Sequence, residues 1–366
     1  MVNSPSSLDQ AFTVADLEGI RNLLSGGSVI DWRKLMFETE AEAAAFVAAN
    51  ELDLDDPADV TRINAVRNEA VKYLRRHFDF PVPSPVANAD LVTLLMLASG
   101  KGHRQLCACT VLKVMHTIHH LEARELLFQL PVSNEEVFHL VEQKVYRVIG
   151  RALAEGAPIV EFIGGRKNKD SLYTKLLSKS EATAAQIYDK LRFRVVTRST
   201  DEILGVIRLL QREILPFNYV IPEQSTNTLL PFEQHCASRP DLAPLLERMQ
   251  SFEDPEAEAE PERERESLVD NEFTAPGYRV VHFVADMPIR LSDARLAAAP
   301  PAAWTLGRII FVMAEFQVID TETDARNEIG DASHSAYKVR QRTAVMRRLK
   351  LGKPGLALPG ERKGDE

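Results

Sequence analysis

The apolar pattern of this chain changes period near Pro158, and that change restricts it to an α+β fold. Upstream the chain reads as helix. Ala41 to Ala49 is alanine-rich, and Asp59 to His77, Asp90 to Leu97, Leu106 to Leu130 and Asn134 to Glu155 carry apolar residues at helical spacing. Ser133 and Glu136 form a capping-box pair ahead of the stripe Val137, Leu140, Val141, Val145 and Val148. Downstream, Ile159 to Ile163 reads as a short strand. Leu191, Phe193 and Val195 then alternate with Arg192, Arg194 and Val196, a period of two. Thr200 to Ile214 reads as a crossover helix, Tyr278 to Ala285 and Arg308 to Ile319 as strands, and residues from Asp324 onward as helix.

The expected organisation is therefore an all-α region over 1–155 and a mixed β-sheet flanked by helices over 156–350. A flexible tail follows over 351–366. An insertion at about 223–273 is too long for an ordinary loop. Its first half, Phe232 to Met249, reads as helix. Its second half is charged and poor in apolar residues, which predicts disorder.

Charge narrows the function classes. With 44 basic and 53 acidic residues the net charge is −9, which argues against nucleic-acid binding by the chain as a whole. A local basic tail (Lys338, Arg340, Arg342, Arg347, Arg348 and Lys350) reads either as the solvated face of a last helix or as a contact for RNA or another anion. Three cysteines, Cys107, Cys109 and Cys236, provide no disulfide framework and suit a reducing compartment. The start lacks a signal-peptide pattern and no apolar run is long enough to span a bilayer. A soluble cytoplasmic protein with no membrane partner is expected. Richness in Ala, Arg, Glu and Pro points to a GC-rich bacterial genome.

The chemistry-bearing residues fall mostly in the second half. Period two puts Glu315 and Gln317 on one strand face, where an apolar strand turns polar; such a place is either a site or an exposed strand end. Asp189 precedes the Arg192/Arg194 strand and is either a ligand or a turn cap. Two carboxylates on neighbouring strands make a hard oxygen site suited to Mg²⁺ and substrate phosphates. One would hold the metal while the other accepts a proton from a hydroxyl. Lys167, Ser171 and Lys175 lie at a helix start rich in cations, suited to phosphate or simply a basic surface turn. Tyr278 and His282, four apart, share a strand face, as a base-stacking pair or as packed sheet residues. His116, His119 and His120 read as ordinary helix histidines, because no HExxH or paired CxxC pattern accompanies them.

In order along the chain, these segments resemble the synthetase domain of the RelA/SpoT alarmone enzymes, over roughly half of the chain. The lysine-rich segment with Lys167, Ser171 and Lys175 comes first, then Asp189-x-x-x-x-Arg194. Gly277-Tyr278-x-x-x-His282, Glu315-x-Gln317 and Gly330-x-x-x-His334-x-x-Tyr337-Lys338 follow. The resemblance implies a nucleotidyltransferase-like mixed sheet and Mg²⁺-dependent transfer of pyrophosphate from ATP to the ribose 3′-hydroxyl of GDP or GTP. It implies that Asp189 binds Mg²⁺ with Glu315, and that Glu315, aided by Gln317, takes the hydroxyl proton. Lys167, Lys175 and Arg194 would hold donor phosphates, with Ser171 capping or touching one. Tyr278 would stack on the acceptor base with His282 supporting it, and His334 and Lys338 would contact substrate. The chain departs from the family pattern at Pro276, Val280, Ile319 and Glu223, and Arg166 sits directly beside Lys167. Pyrophosphate transfer to RNA and an inactive nucleotide-binding or interaction protein stay open as alternatives.

Overall fold

The computed structural model describes residues 10–26, 35–178, 190–222, 224–251, 277–329 and 333–350. The helices that precede the sheet are α1 (Val14–Ser25), α2 (Glu40–Ala49), α3 (Pro57–Phe78), α4 (Ser84–Ala87), α5 (Leu91–Ala98), α6 (His103–Gln129) and α7 (Asn134–Ala154). Their ends follow the local chemistry. Asp56 caps α3 ahead of Pro57, a residue without an N–H to lose. The capping box of α7 forms: the Glu136 amide donates to Ser133 Oγ at 3.2 Å and the Ser133 amide to Glu136 Oε2 at 2.8 Å.

Then follow β1 (Ile159–Arg166), α8 (Lys169–Ser178), β2 (Leu191–Thr197), α9 (Ile203–Glu213), β3 (Thr226–Asn227), α10 (Phe232–Ser238) and α11 (Ala243–Ser251). The chain ends with β4 (Val281–Arg290), α12 (Asp293–Ala297), β5 (Ile309–Asp320), α13 (Thr321–Asn327) and α14 (His334–Arg348). The sheet order is β1-β2-β5-β4-β3. Only the β2–β5 pair is parallel; β1–β2, β4–β5 and β3–β4 are antiparallel. The α+β expectation therefore holds: a mixed sheet flanked by helices. Pro288 is tolerated within β4 because β3 pairs only with Val281 and His282, so its missing N–H costs no ladder bond on that side.

Period two divides the sheet into two faces. One carries a row of rings across four strands. Phe162 stacks on Phe193 at 6.0 Å, Phe193 tilts against Phe316 at 5.3 Å, and Phe283 stacks on Phe316 at 5.5 Å. Helix α7 covers this row, with Tyr146 edge-on to Phe162 at 5.6 Å. Gly164 makes that approach possible, since a Cβ there would lie 2.5 Å from the tyrosine oxygen. Helices α1, α7 and α9 share one apolar core with the sheet, whereas α2 to α6 enclose a second core of their own.

The opposite face is covered at one end only by the helical region. There His119 and His120 of α6 meet Phe311 edge-on, and Tyr219 packs on the same ring at 4.2 Å. At the other end α13 turns back from β5. Between these covers the sheet presents polar side chains.

Some elements differ from the sequence expectation. The strand expected from Tyr278 begins at Val281, because residues 278–280 bond to Thr228 and Asn327 instead of extending the ladder. The helix expected over Phe232 to Met249 is two helices, separated at Pro240, which lacks the N–H a continuous helix needs. The insertion also supplies the edge strand β3. Its acidic second half, and the tail 351–366, lie outside the described residues. The three cysteines are buried thiols. Among the described residues no helix is long and apolar enough to cross a membrane.

Candidate functional site

Register brings the polar side chains together. Arg192 pairs with Glu315 across β2–β5 and Arg194 with Gln317. Across β5–β4, Gln317 pairs with His282. Cross-strand partners share a face, so two arginines, a carboxylate, an amide and an imidazole occupy one patch on three strands. Glu315 is 5 % exposed. Gln317 Nε2 donates to Glu315 Oε1 at 2.7 Å, and His282 Nε2 lies 3.3 Å from the same oxygen. A buried carboxylate held this way is oriented as well as partnered.

Tyr278 stands at the rim of this patch, half-buried. Burial raises its phenol pKa, Arg194 opposes that rise, Glu315 adds to it and Arg192 opposes it. The ring thus lies within electrostatic reach of both arginines and of the carboxylate. Its backbone is pinned from two directions. Thr228 Oγ donates to the Tyr278 carbonyl at 3.2 Å, while Asn327 grips the next peptide, that of Arg279. Asp324, one turn earlier in α13, pairs with Arg194. Helix α13 therefore holds both a cation and the segment bearing the ring.

The lysine-rich segment sits at the end of β1. The Lys167 amide donates to the Lys190 carbonyl at 3.1 Å, which ties this segment to the start of β2. Asn168 Oδ1 accepts from the Ser171 amide at 2.8 Å and so caps α8. Ser171 and Lys175 lie on α8, both half-buried. Helix α14 packs against α8: Gln341 Nε2 reaches Ser178 Oγ at 3.5 Å and Arg348 donates to the Leu177 carbonyl at 3.3 Å. Lys338 is exposed on α14. Arg166 points to the other face, where it pairs with Glu142 and Glu135 of α7. It is a structural tie rather than a site cation.

Asp189 lies outside the described residues, as do Gly330, Pro276, Glu223 and the side chain of His334. Two site residues were missed as such in the sequence: Asp324 and Asn327, whose signal is only that they follow a polar strand end. Arg192 was visible as a strand residue, but only the parallel register shows that it faces Glu315. Val280 and Ile319, where the family pattern has polar residues, are 5 % and 0 % exposed and serve packing. His116, His119 and His120 of α6 serve packing too; His120 Nε2 reaches Asp286 Oδ2 at 2.7 Å.

Mg²⁺ takes hard oxygen donors and keeps much of its shell as water and phosphate oxygen. Glu315 is one such donor. Among the described residues no group of three or more His, Cys, Asp or Glu side chains converges as a metal cage. A single carboxylate would hold such an ion only together with donors from a bound phosphate.

No family model matches the chain, and no curated protein does. Solved structures similar to it include small alarmone synthetase 2 from Bacillus subtilis, at 16% identity and TM-score 0.28, covering 62% of this chain and 93% of that one. Small alarmone synthetase 1 from Bacillus subtilis follows at 14% identity and TM-score 0.31, covering 59% and 90%. A GTP pyrophosphokinase family protein from Streptococcus pneumoniae stands at 13% identity and TM-score 0.29, covering 59% and 87%.

Proposed function

We propose that this chain is a pyrophosphokinase that moves pyrophosphate from ATP to the ribose 3′-hydroxyl of GDP or GTP. The observation that carries the reading is the convergence of Glu315, Gln317, His282, Arg192, Arg194 and Tyr278 on one patch of three strands. Transfer of a phosphoryl group needs a positioned hydroxyl, a proton acceptor and fixed positive charge, and little covalent chemistry from the protein.

Glu315 accepts the hydroxyl proton. Gln317 and His282 hold its Oε1, so the carboxylate presents a constant orientation to the acceptor. Tyr278 supplies a flat face for the acceptor base at the rim. Arg194, Lys167 and Lys175 carry the charge that donor phosphates require, and Arg192, opposite Glu315, adds to it. Ser171 sits in the first turn of α8, where a helix favours phosphate. Lys338 adds a substrate contact from α14. Glu315 and Asp189 would hold Mg²⁺, which when bound neutralises phosphate charge.

The test is incubation with ATP, Mg²⁺ and GDP or GTP, reading AMP and the pyrophosphorylated acceptor. Glu315→Gln should lower turnover at least about a hundredfold while leaving the fold intact. Persistent absence of AMP with either acceptor would overturn the reading.

A second reading is favoured by α14, which carries Lys338, Arg340, Arg342, Arg347 and Arg348 and no acidic residue. In it the acceptor is RNA docked on this basic helix. Salt-sensitive RNA binding that disappears when Arg347 and Arg348 become Ala would support it. Nucleotide binding without any turnover would instead identify an inactive binding protein.

A further inference from the structure

Helix α6 reaches the sheet face that carries Glu315 and brings a cation there. His120 and Arg124 are one turn apart on α6 and meet the same buried carboxylate, Asp286 of β4, which is 2 % exposed. His120 Nε2 lies 2.7 Å from Asp286 Oδ2, and Arg124 Nη1 lies 3.6 Å from it. The first contact is a hydrogen bond; the second is an ion contact too long to be one. Arg124 makes no hydrogen bond among the described residues, and its side chain is 44 % exposed. Asp286 therefore places the guanidinium while its donors stay open to a ligand.

Strand register fixes where this cation stands. Glu315 pairs with Val284, and alternation puts His282, Val284 and Asp286 on the face of β4 that Glu315 shares. Asp286 is thus a diagonal neighbour of Glu315, about 7–8 Å away between Cα atoms. His282 is the diagonal neighbour on the other side, toward Tyr278. Along β4 the order is Tyr278, His282, Asp286, with Glu315 beside the line between the last two. Met313, which pairs with Asp286, keeps part of its surface exposed, so α6 does not seal the face there.

We propose that Arg124 holds the 5′-phosphates of the acceptor nucleotide, so that the helical region supplies part of the acceptor site. This rests on the reading of the patch as a nucleotide site. With the base on Tyr278 and the ribose 3′-hydroxyl at Glu315, the far end of a nucleotide laid along β4 falls at Asp286 and Arg124. Arg192, Arg194, Lys167 and Lys175 serve the donor in that reading. A di- or triphosphate beside the Glu315 and Asp286 carboxylates needs a cation of its own, and Arg124 stands at that end. Its planar fork suits phosphate oxygens. Arg124 belongs to none of the motifs that carry the family resemblance. The site then prefers GDP and GTP to guanosine.

Calorimetric and ligand-observed NMR titration of the full chain with GDP and with guanosine tests it, beside steady-state kinetics with ATP and GDP. Arg124→Ala should weaken GDP binding at least about tenfold, as expected for one charge-assisted phosphate contact, and change guanosine binding less than about twofold. KM for GDP should rise to the same extent and KM for ATP should not. Arg124→Lys, which keeps the charge, should recover part of the loss. Equal loss for GDP and guanosine, which a mere strut between α6 and the sheet would give, overturns the proposal. So does unchanged GDP binding in Arg124→Ala, or absence of GDP binding to the unsubstituted chain. Selective loss of GDP binding without AMP formation would keep this subsite and reject the transfer reaction. AMP formation with Arg124→Ala indifferent to GDP would do the reverse.

Discussion

Asn327 holds the peptide of Arg279 at both ends. Its Oδ1 accepts from the Arg279 amide at 3.1 Å and its Nδ2 donates to the Arg279 carbonyl at 2.7 Å, with the side chain only 2 % exposed. The residue before that peptide is Tyr278, the ring expected to stack on a base. A side-chain amide on α13 thereby sets where the ring stands relative to Glu315 on the adjoining strand.

Asn327→Ala should leave the Arg279 peptide without either bond and raise KM for the acceptor nucleotide about tenfold, with a smaller change in kcat. If Asn327 acts through the ring, adding Asn327→Ala to Tyr278→Ala should change KM no further. Amide exchange at Arg279 should accelerate in the single variant whether or not turnover is detectable. Additive KM effects would show that Asn327 is merely structural.

Arg194→Ala should raise KM for ATP between about ten- and a hundredfold, as expected for one charge-assisted phosphate contact. Asp324→Asn should act less strongly, because it removes only the partner that orients Arg194. The double variant should match Arg194→Ala alone. Steady-state kinetics at fixed ionic strength measure all three, and independent effects would separate Asp324 from Arg194.

Lys144 joins the helical region to β4: its ammonium lies 2.6 Å from Glu51 Oε1 and donates to the Pro288 carbonyl at 3.0 Å, in a buried setting. Lys144→Ala leaves the Pro288 carbonyl and the partly exposed Glu51 carboxylate without it and should cost about 1–3 kcal/mol. Lys144→Met, which retains most of the packing volume, should cost less. Urea unfolding of both variants checks the order.

Burial lowers the His116 pKa to about 3, and that of His119 to about 4, from an ordinary 6.5. The folded protein keeps both rings neutral where the unfolded chain protonates them. Below pH 6.5 the unfolded state therefore binds more protons and stability falls with pH, until the folded rings titrate near pH 4 and 3. Between pH 6.5 and 5 the pair should account for about 3 kcal/mol. Urea unfolding across this range measures the slope, and His119→Gln should roughly halve it.

Much of the fold could be read from periodicity, because a helix and a half-buried strand repeat their apolar residues at different intervals. The capping box at Ser133 and the alternation over Leu191 to Val196 were both legible for that reason. The two-residue strand β3 was not, since Thr226 and Asn227 form it by pairing with β4 and carry no repeat of their own. The apolar alternation places Tyr278 in a strand. Its neighbours bond instead to Thr228 and Asn327, groups far along the chain whose positions no local pattern encodes.

The order of residues alone determined that Glu315 and Gln317 share a face, that Arg192 and Arg194 share another strand's face, and that helices precede the strands along the chain. These depend on the geometry of a single segment. Only the tertiary structure decided that the two faces are the same face, that Arg166 points away from it, and that Asp324 and Asn327 brace it. Strand register and helix docking arise from contacts between separate segments, about 20 to 40 residues apart across β4–β5 and more than a hundred across β2–β5, and a one-residue slip in either pairing would have scattered the cluster.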